Sequence, residues 1–266
     1  MKKTRFILPN AFTSLNFLLG VFSICWSAGM FTGSSTTNPF MMGAYFVLLC
    51  ALFDKLDGFA ARLVNASSEF GAQFDSLADL IAFGVAPAIC VALCYKANVP
   101  QWFDQNFILV LIAFSIYVLC AAMRLAKYNA MDSDSYHHHF SGLPSTFAGM
   151  INMLLLALVL QYKWFENQND ALLFLPIAVL LVTGLMMVSP IFLPKLQMRK
   201  NKFVNGFQIF LIVVTYISAF FFVTDKIPYL REFLMTEAVL YVIIGFASGL
   251  IHRSEIIAEA KASADK

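Results

Sequence analysis

The sequence predicts an all-α integral membrane protein with about eight transmembrane helices. Two observations carry that prediction. Apolar residues fill 60% of the 266 positions and charged ones only 13%, whereas a soluble domain is nearer half apolar and a quarter charged. The charges also gather between long apolar runs or at their ends, as bilayer-crossing segments require. Eight runs approach the ~20 apolar residues that a spanning helix needs: 11–30, 40–62, 73–95, 106–128, 145–162, 171–189, 205–223 and 233–251.

An even number of spans puts both termini on one side. With the N-terminus in the cytoplasm, 14 of the 18 Lys and Arg fall inside and 4 outside, a strong positive-inside bias. The first run lacks a small-residue cleavage pattern and reads as a retained span. No internal repeat or low-complexity linker divides the chain, so 1–266 reads as a single membrane domain. The basic, Pro-punctuated stretch 190–203, "PIFLPKLQMRKNKF", reads as a cytoplasmic connector near anionic headgroups.

Other classes are weakly indicated. A net charge of +2 gives no nucleic-acid surface, so no nucleic-acid partner is expected. The five cysteines (Cys25, Cys50, Cys90, Cys94, Cys120) all sit in apolar runs without a CxxC pair, which makes them small buried side chains rather than disulfides or zinc ligands. The run His137, His138, His139 reads as a solvated loop, because adjacent side chains in a helix or strand point apart and make a poor metal site.

The charges that stand out lie in "DKLDGFAARLVNASSEFGAQFDSLAD", residues 54–79. At 3.6 residues per turn, Asp54, Asp57, Gly58 and Ala61 share one helix face with Arg62 at its edge. Gly71, Asp75 and Asp79 line up on the next helix. Packed together, the two faces bring four carboxylates to one point. Unpaired, those charges repel and are costly to desolvate; bound divalent cations relieve both problems, and oxygen-only ligands favour magnesium, manganese or calcium over zinc. Gly58, Ala61 and Gly71 leave room for close approach, and Arg62 offers a fork suited to phosphate. The set describes a site for a metal-bound diphosphate. The plain alternative is snorkelling charges at helix ends with glycines used for packing.

These residues carry a resemblance. The pattern Asp54-x2-Asp57-Gly58-x2-Ala61-Arg62-x8-Gly71-x3-Asp75-x3-Asp79 resembles, without gap or substitution, the signature of the CDP-alcohol phosphotransferase family. The resemblance implies a helical membrane bundle of that type that displaces CMP from a CDP-linked substrate with an alcohol, using two divalent cations, magnesium or manganese. It also implies roles: Asp54, Asp57, Asp75 and Asp79 as metal ligands, Asp79 also as general base, and Gly58, Ala61, Arg62 and Gly71 around the cytidine and diphosphate.

Four further stretches, "LPNAFTSLNFLLG" (8–20), "FDSLADLIAFGVAPA" (74–88), "MRLAKYN" (123–129) and "FSGLPS" (140–145), resemble the bacterial CDP-diacylglycerol–serine O-phosphatidyltransferases. That resemblance implies a catalytic core at roughly 8–190 with additional C-terminal helices over 203–252, CDP-diacylglycerol and L-serine as substrates, CMP as a product, and a homodimer. It places the protein in a bacterial inner (cytoplasmic) membrane, and the charge count puts both termini and the active site on the cytoplasmic side. Those relatives often carry proline after the serine of "GLPS", where this chain has Thr146, a departure that on the sequence touches no metal ligand.

Arg124, at the end of an apolar run, needs an anion. A serine carboxylate held by Arg124 and Lys127 is one partner; a motif carboxylate or lipid phosphate is another. Ser141, Gly142, Pro144 and Ser145 form a polar turn whose backbone donors, near a helix start, suit an anion, though turn and capping chemistry explains them equally. Pro9 and Asn10 start the first helix, and the resemblance brings Asn10 toward the nucleotide. The expected reaction is transfer of the phosphatidyl group to L-serine. The alternatives are the same chemistry with glycerol 3-phosphate or inositol phosphate, or a cation transporter; the latter is disfavoured by acids at one membrane edge and no paired broken helices.

Overall fold

A computed structural model of the chain describes residues 7–31, 38–63, 69–130, 139–166, 170–194, 213–215, 217–222 and 227–253. The described part is helical throughout apart from one short ribbon, as the composition requires. The helices are α1 (Ile7–Ser27), α2 (Pro39–Leu63), α3 (Glu69–Asp79), α4 (Ala86–Asn98), α5 (Pro100–Gln105), α6 (Phe107–Ala130), α7 (Ser145–Gln161), α8 (Asp170–Val188) and α9 (Leu230–Ile251). A π-helical turn, Leu80–Val85, joins α3 to α4, so the backbone is one rod from residue 69 to 98.

Local chemistry sets the boundaries. Gly29, at φ +78°, closes α1 in the left-handed conformation that a helix end favours. Asn38 caps α2 by accepting from the Phe40 and Met41 amides at 2.9 and 3.4 Å, with Pro39 at the first helical position. Pro100 opens α5 after an extended Val99 and turns the chain back toward α6.

Five described helices are long and apolar enough to cross a membrane: 39–56, 69–98, 107–130, 171–188 and 230–251. The expected span at 145–162 is α7, apolar but only 17 residues long. The first expected span is α1, whose 21 residues include buried Thr13, Asn16 and Ser23. Most of the expected span at 205–223 lies outside the described residues. The protein is therefore a multi-pass, all-α membrane protein.

α1 packs lengthwise on α2 and also against α3, the π turn and α4, while α7 packs on α2 and α6 on α8. Within a bilayer, close approach of small residues and interhelical hydrogen bonds replace the hydrophobic effect as the driving force. At the α1–α2–α4 contact, Ser23 Oγ donates to the Gly43 carbonyl at 2.8 Å and Ser27 Oγ lies 3.1 Å from Cys90 Sγ. All five cysteines are free; four are buried and Cys25 is half-buried, as expected.

The ribbon pairs β1 (His139–Ser141) with β2 (Phe192–Pro194) antiparallel, Ser141 opposite Phe192. β2 belongs to the stretch expected to be a plain connector; instead it braces the entry to α7. α9 packs on it, with Tyr241 Oη donating to the Pro194 carbonyl at 2.8 Å. His139 starts β1, while His137 and His138 lie outside the described residues, as do 195–203.

Candidate active site

One carboxylate oxygen each from Asp54, Asp75 and Asp79 lies within 4.8 Å of the others. Asp54 comes from α2, and Asp75 and Asp79 stand one turn apart on the last part of α3. Asp79 is 9% exposed and the other two are half-buried. Among the described residues, α1 packs against both acid-bearing helices, and α2 also touches the rod at the π turn and α4.

Three carboxylates this close repel by about 3 kcal/mol per pair at an effective dielectric of ~20. Among the described residues, two cations stand near. Lys55 Nζ is 3.4 Å from Asp54 Oδ2 but is largely in solvent. The Arg124 charge acts on Asp79 and Asp54, yet its Nη1 donates to Ser145 Oγ at 2.9 Å. An oxygen-only donor set on rigid helices fits a hard divalent cation. α2 stays helical through Asp57, Gly58, Ala61 and Arg62, whose side chains lie outside the described residues.

Two residues that were not among the expected site residues join the cluster. Asn16, fully buried on α1, donates from Nδ2 to Asp79 Oδ1 at 3.3 Å and so orients that carboxylate. Cys50 Sγ supports it by donating to the Asn16 carbonyl at 3.3 Å. The available signal was an amide in the middle of an apolar run, a costly placement that implies a partner. Thr146, 7% exposed, donates from Oγ1 to Asp54 Oδ2 at 3.4 Å. The departure at Thr146 thus does touch a ligand carboxylate, because the first turn of α7 faces α2.

The candidate serine-binding residues come together in two pairs. Arg124 meets Ser145, and Lys127 Nζ lies 3.5 Å from Ser141 Oγ, so the end of α6 faces the start of α7. Arg124 Nε is buried and has no hydrogen-bond partner, which leaves one donor of its fork available. The expected anion-binding turn is corrected in part. The Gly142 and Leu143 amides are spent on the Ile191 and Met186 carbonyls at 2.8 and 2.9 Å. Gly142 holds φ +76°, and a Cβ there would strike the Met187 carbonyl, so the turn is a tie to the end of α8.

The remaining candidates take ordinary positions. Asn10 is half-buried near the start of α1, and its carbonyl accepts from Ser14 Oγ at 2.7 Å. It lies six residues, about 9 Å of helix, before Asn16. Gly71 is half-buried on α3, two turns before Asp79. The tip of α6 is tied to α3 by Ser76 Oγ donating to Asn129 Oδ1 at 3.1 Å.

Comparison with known proteins yields consistent matches. The model of the CDP-alcohol phosphatidyltransferase family matches residues 6–191. A Helicobacter pylori protein named CDP-diacylglycerol–serine O-phosphatidyltransferase is 34% identical over 217 residues, covering 81% of this chain and 82% of its own. A Mycobacterium tuberculosis protein of the same name is 32% identical over 190 residues, 68% of this chain and 60% of its own. One from Saccharomyces cerevisiae is 37% identical over 148 residues, 56% of this chain and 50% of its own.

Proposed function

This chain belongs to the CDP-alcohol phosphatidyltransferase family, and from that membership and its relatives we infer that it is a CDP-diacylglycerol–serine O-phosphatidyltransferase. It transfers the phosphatidyl group of CDP-diacylglycerol to the hydroxyl of L-serine, giving phosphatidylserine and CMP. The observation that carries the reading is the convergence of Asp54, Asp75 and Asp79 at the end of a membrane bundle.

Asp54, Asp75 and Asp79, with Asp57, are the residues to hold two divalent cations, magnesium or manganese. When bound, these supply neutralisation of charge on the diphosphate oxygens, the main requirement of phosphoryl-type transfer. The protein residues do the rest. Asp79, with Oδ1 held by Asn16, takes the proton of the serine hydroxyl. The serine oxygen bonds to the diacylglycerol-linked phosphorus, the bond from that phosphorus to the bridging oxygen breaks, and CMP departs with its electron pair. Arg124, steadied by Ser145, binds the serine carboxylate, with Lys127 and Ser141 beside it. Asn10, Gly58, Ala61, Arg62 and Gly71 surround the nucleotide half of CDP-diacylglycerol.

We place the site and both termini on the cytoplasmic side of a bacterial inner membrane, supported by the 14-to-4 distribution of Lys and Arg. A homodimer accords with the family resemblance. The catalytic core is taken as 8–190, with the C-terminal helices as additions. The test is CMP release from CDP-diacylglycerol in detergent with a panel of alcohols. Serine should support turnover far above glycerol 3-phosphate or inositol phosphate; equal rates with a phosphorylated acceptor would overturn the assignment.

A further inference from the structure

Asp75 and Asp79 end α3, and past them the rod leaves the α-helical form for the turn Leu80–Val85. There the Ala86 amide donates to the Ile81 carbonyl, five residues back, the hydrogen bond that defines a π turn. The chemical cause sits one residue further on. Pro87 has no N–H to give to the Phe83 carbonyl, its partner in an α-helix. Tyr117 of α6 takes that carbonyl instead, its Oη donating at 2.7 Å, with Tyr117 and Phe83 both at 0% exposure.

The neighbours are shaped to this turn. A Cβ at Gly20 of α1 would lie 3.0 Å from Ala82 Cα, and one at Gly149 of α7 would lie 3.1 Å from Phe83 Cα. On the far side, a Cβ at Gly184 of α8 would lie 3.0 Å from Tyr117 Cα. Three helices therefore approach the turn and its tyrosine at glycines.

A π turn carries one residue more than an α turn, and one residue rotates an α-helix by about 100°. α4 is fixed in the core by Ala88, Cys90, Val91 and Cys94. If residues 80–85 were α-helical, the face bearing Asp75 and Asp79 would swing by about that angle away from Asp54. We infer that the π turn sets the phase between the packing half and the acidic half of this rod, and that Tyr117 is a positioning residue that holds Asp75 and Asp79 on the site through the Phe83 carbonyl. The inference rests on the role given to Asp79 above.

Three variants test it in detergent, by CMP release, thermal unfolding and manganese titration of activity. Tyr117→Phe should lose about tenfold in kcat and need more manganese for half-maximal rate, with the serine KM within about twofold of wild type. Tyr117→Phe with Pro87→Ala gives the Phe83 carbonyl a backbone donor again, but in the α phase. That double variant should recover Tm while kcat falls further. A merely structural tyrosine predicts that kcat recovers together with Tm, and that result would overturn the inference. So would an unchanged kcat for Tyr117→Phe alongside an inactive Asp79→Asn. An active Asp79→Asn would instead overturn the role assigned to Asp79 and leave the phase of the rod without a catalytic consequence.

Discussion

α3 and α4 are halves of one helical rod that obey different rules. α3 carries Glu69, Asp75 and Asp79 and leaves Phe70 and Leu77 at 69% and 58% exposure. α4 has no charge before Lys96 and buries Ala86, Pro87, Ala88, Cys90, Val91 and Cys94. The acids can be carried because Asn16 of α1 donates to Asp79 and Thr146 of α7 donates to the facing Asp54, with the Arg124 charge of α6 acting on both. The core half gives up polarity and gains close packing, with Cys90 beside Ser23 and Ser27 of α1, and Tyr95 Oη donating to the Leu173 carbonyl of α8, among its interhelical links. The proposed site and the packing core thus lie at opposite ends of the same element, and substitutions should separate them.

The largest effect is expected at the acidic end. Asp79→Asn keeps shape and removes the proton acceptor, so kcat should fall at least about a thousandfold while Tm holds. Residual turnover near wild type would erase the functional side of the contrast. Next comes Arg124→Ala. The lost charged hydrogen bonds should raise the serine KM about 10- to 100-fold and leave the CDP-diacylglycerol KM in place. An unchanged serine KM would assign Arg124 to the motif carboxylates alone.

The smallest effect on activity is expected at the packing end. A Cβ at Gly43 would collide with Ser27 Oγ and press on Cys90 Sγ at 3.4 Å. Gly43→Ala should therefore lower Tm by a few degrees, from overpacking worth about 1–3 kcal/mol. Both KM values should stay at wild type; a shift in either would mean that the two halves are not separable.

The same contrast explains what could be read from the sequence. The acids were legible because a helix of constant pitch puts Asp75 and Asp79 on one face, and both lie before the pitch changes. The π turn was not legible, because spacing arguments extrapolate one period through residues 80–85; Pro87 was the available clue. The role of Asn16 was not legible, because an amide inside an apolar run does not show which partner it has until α1 is laid against α3. The polar turn before α7 left two readings open for a related reason. Its amides looked free along the chain, but the Ile191 carbonyl just before β2 and the Met186 carbonyl at the end of α8 return to claim them. Of the eight expected spans, five coincide with described helices long and apolar enough to cross a membrane, while α1 and α7 are helices where expected but carry buried Asn16 and Asn152.

The central claim is that aspartates from two helices clasp common dications, and manganese binding followed by electron paramagnetic resonance tests it without turnover. The purified protein should bind manganese tightly enough to broaden its spectrum, and Asp54→Asn and Asp75→Asn should each release it although they alter different helices. Binding that survives both substitutions, or is lost through one helix alone, would contradict the account.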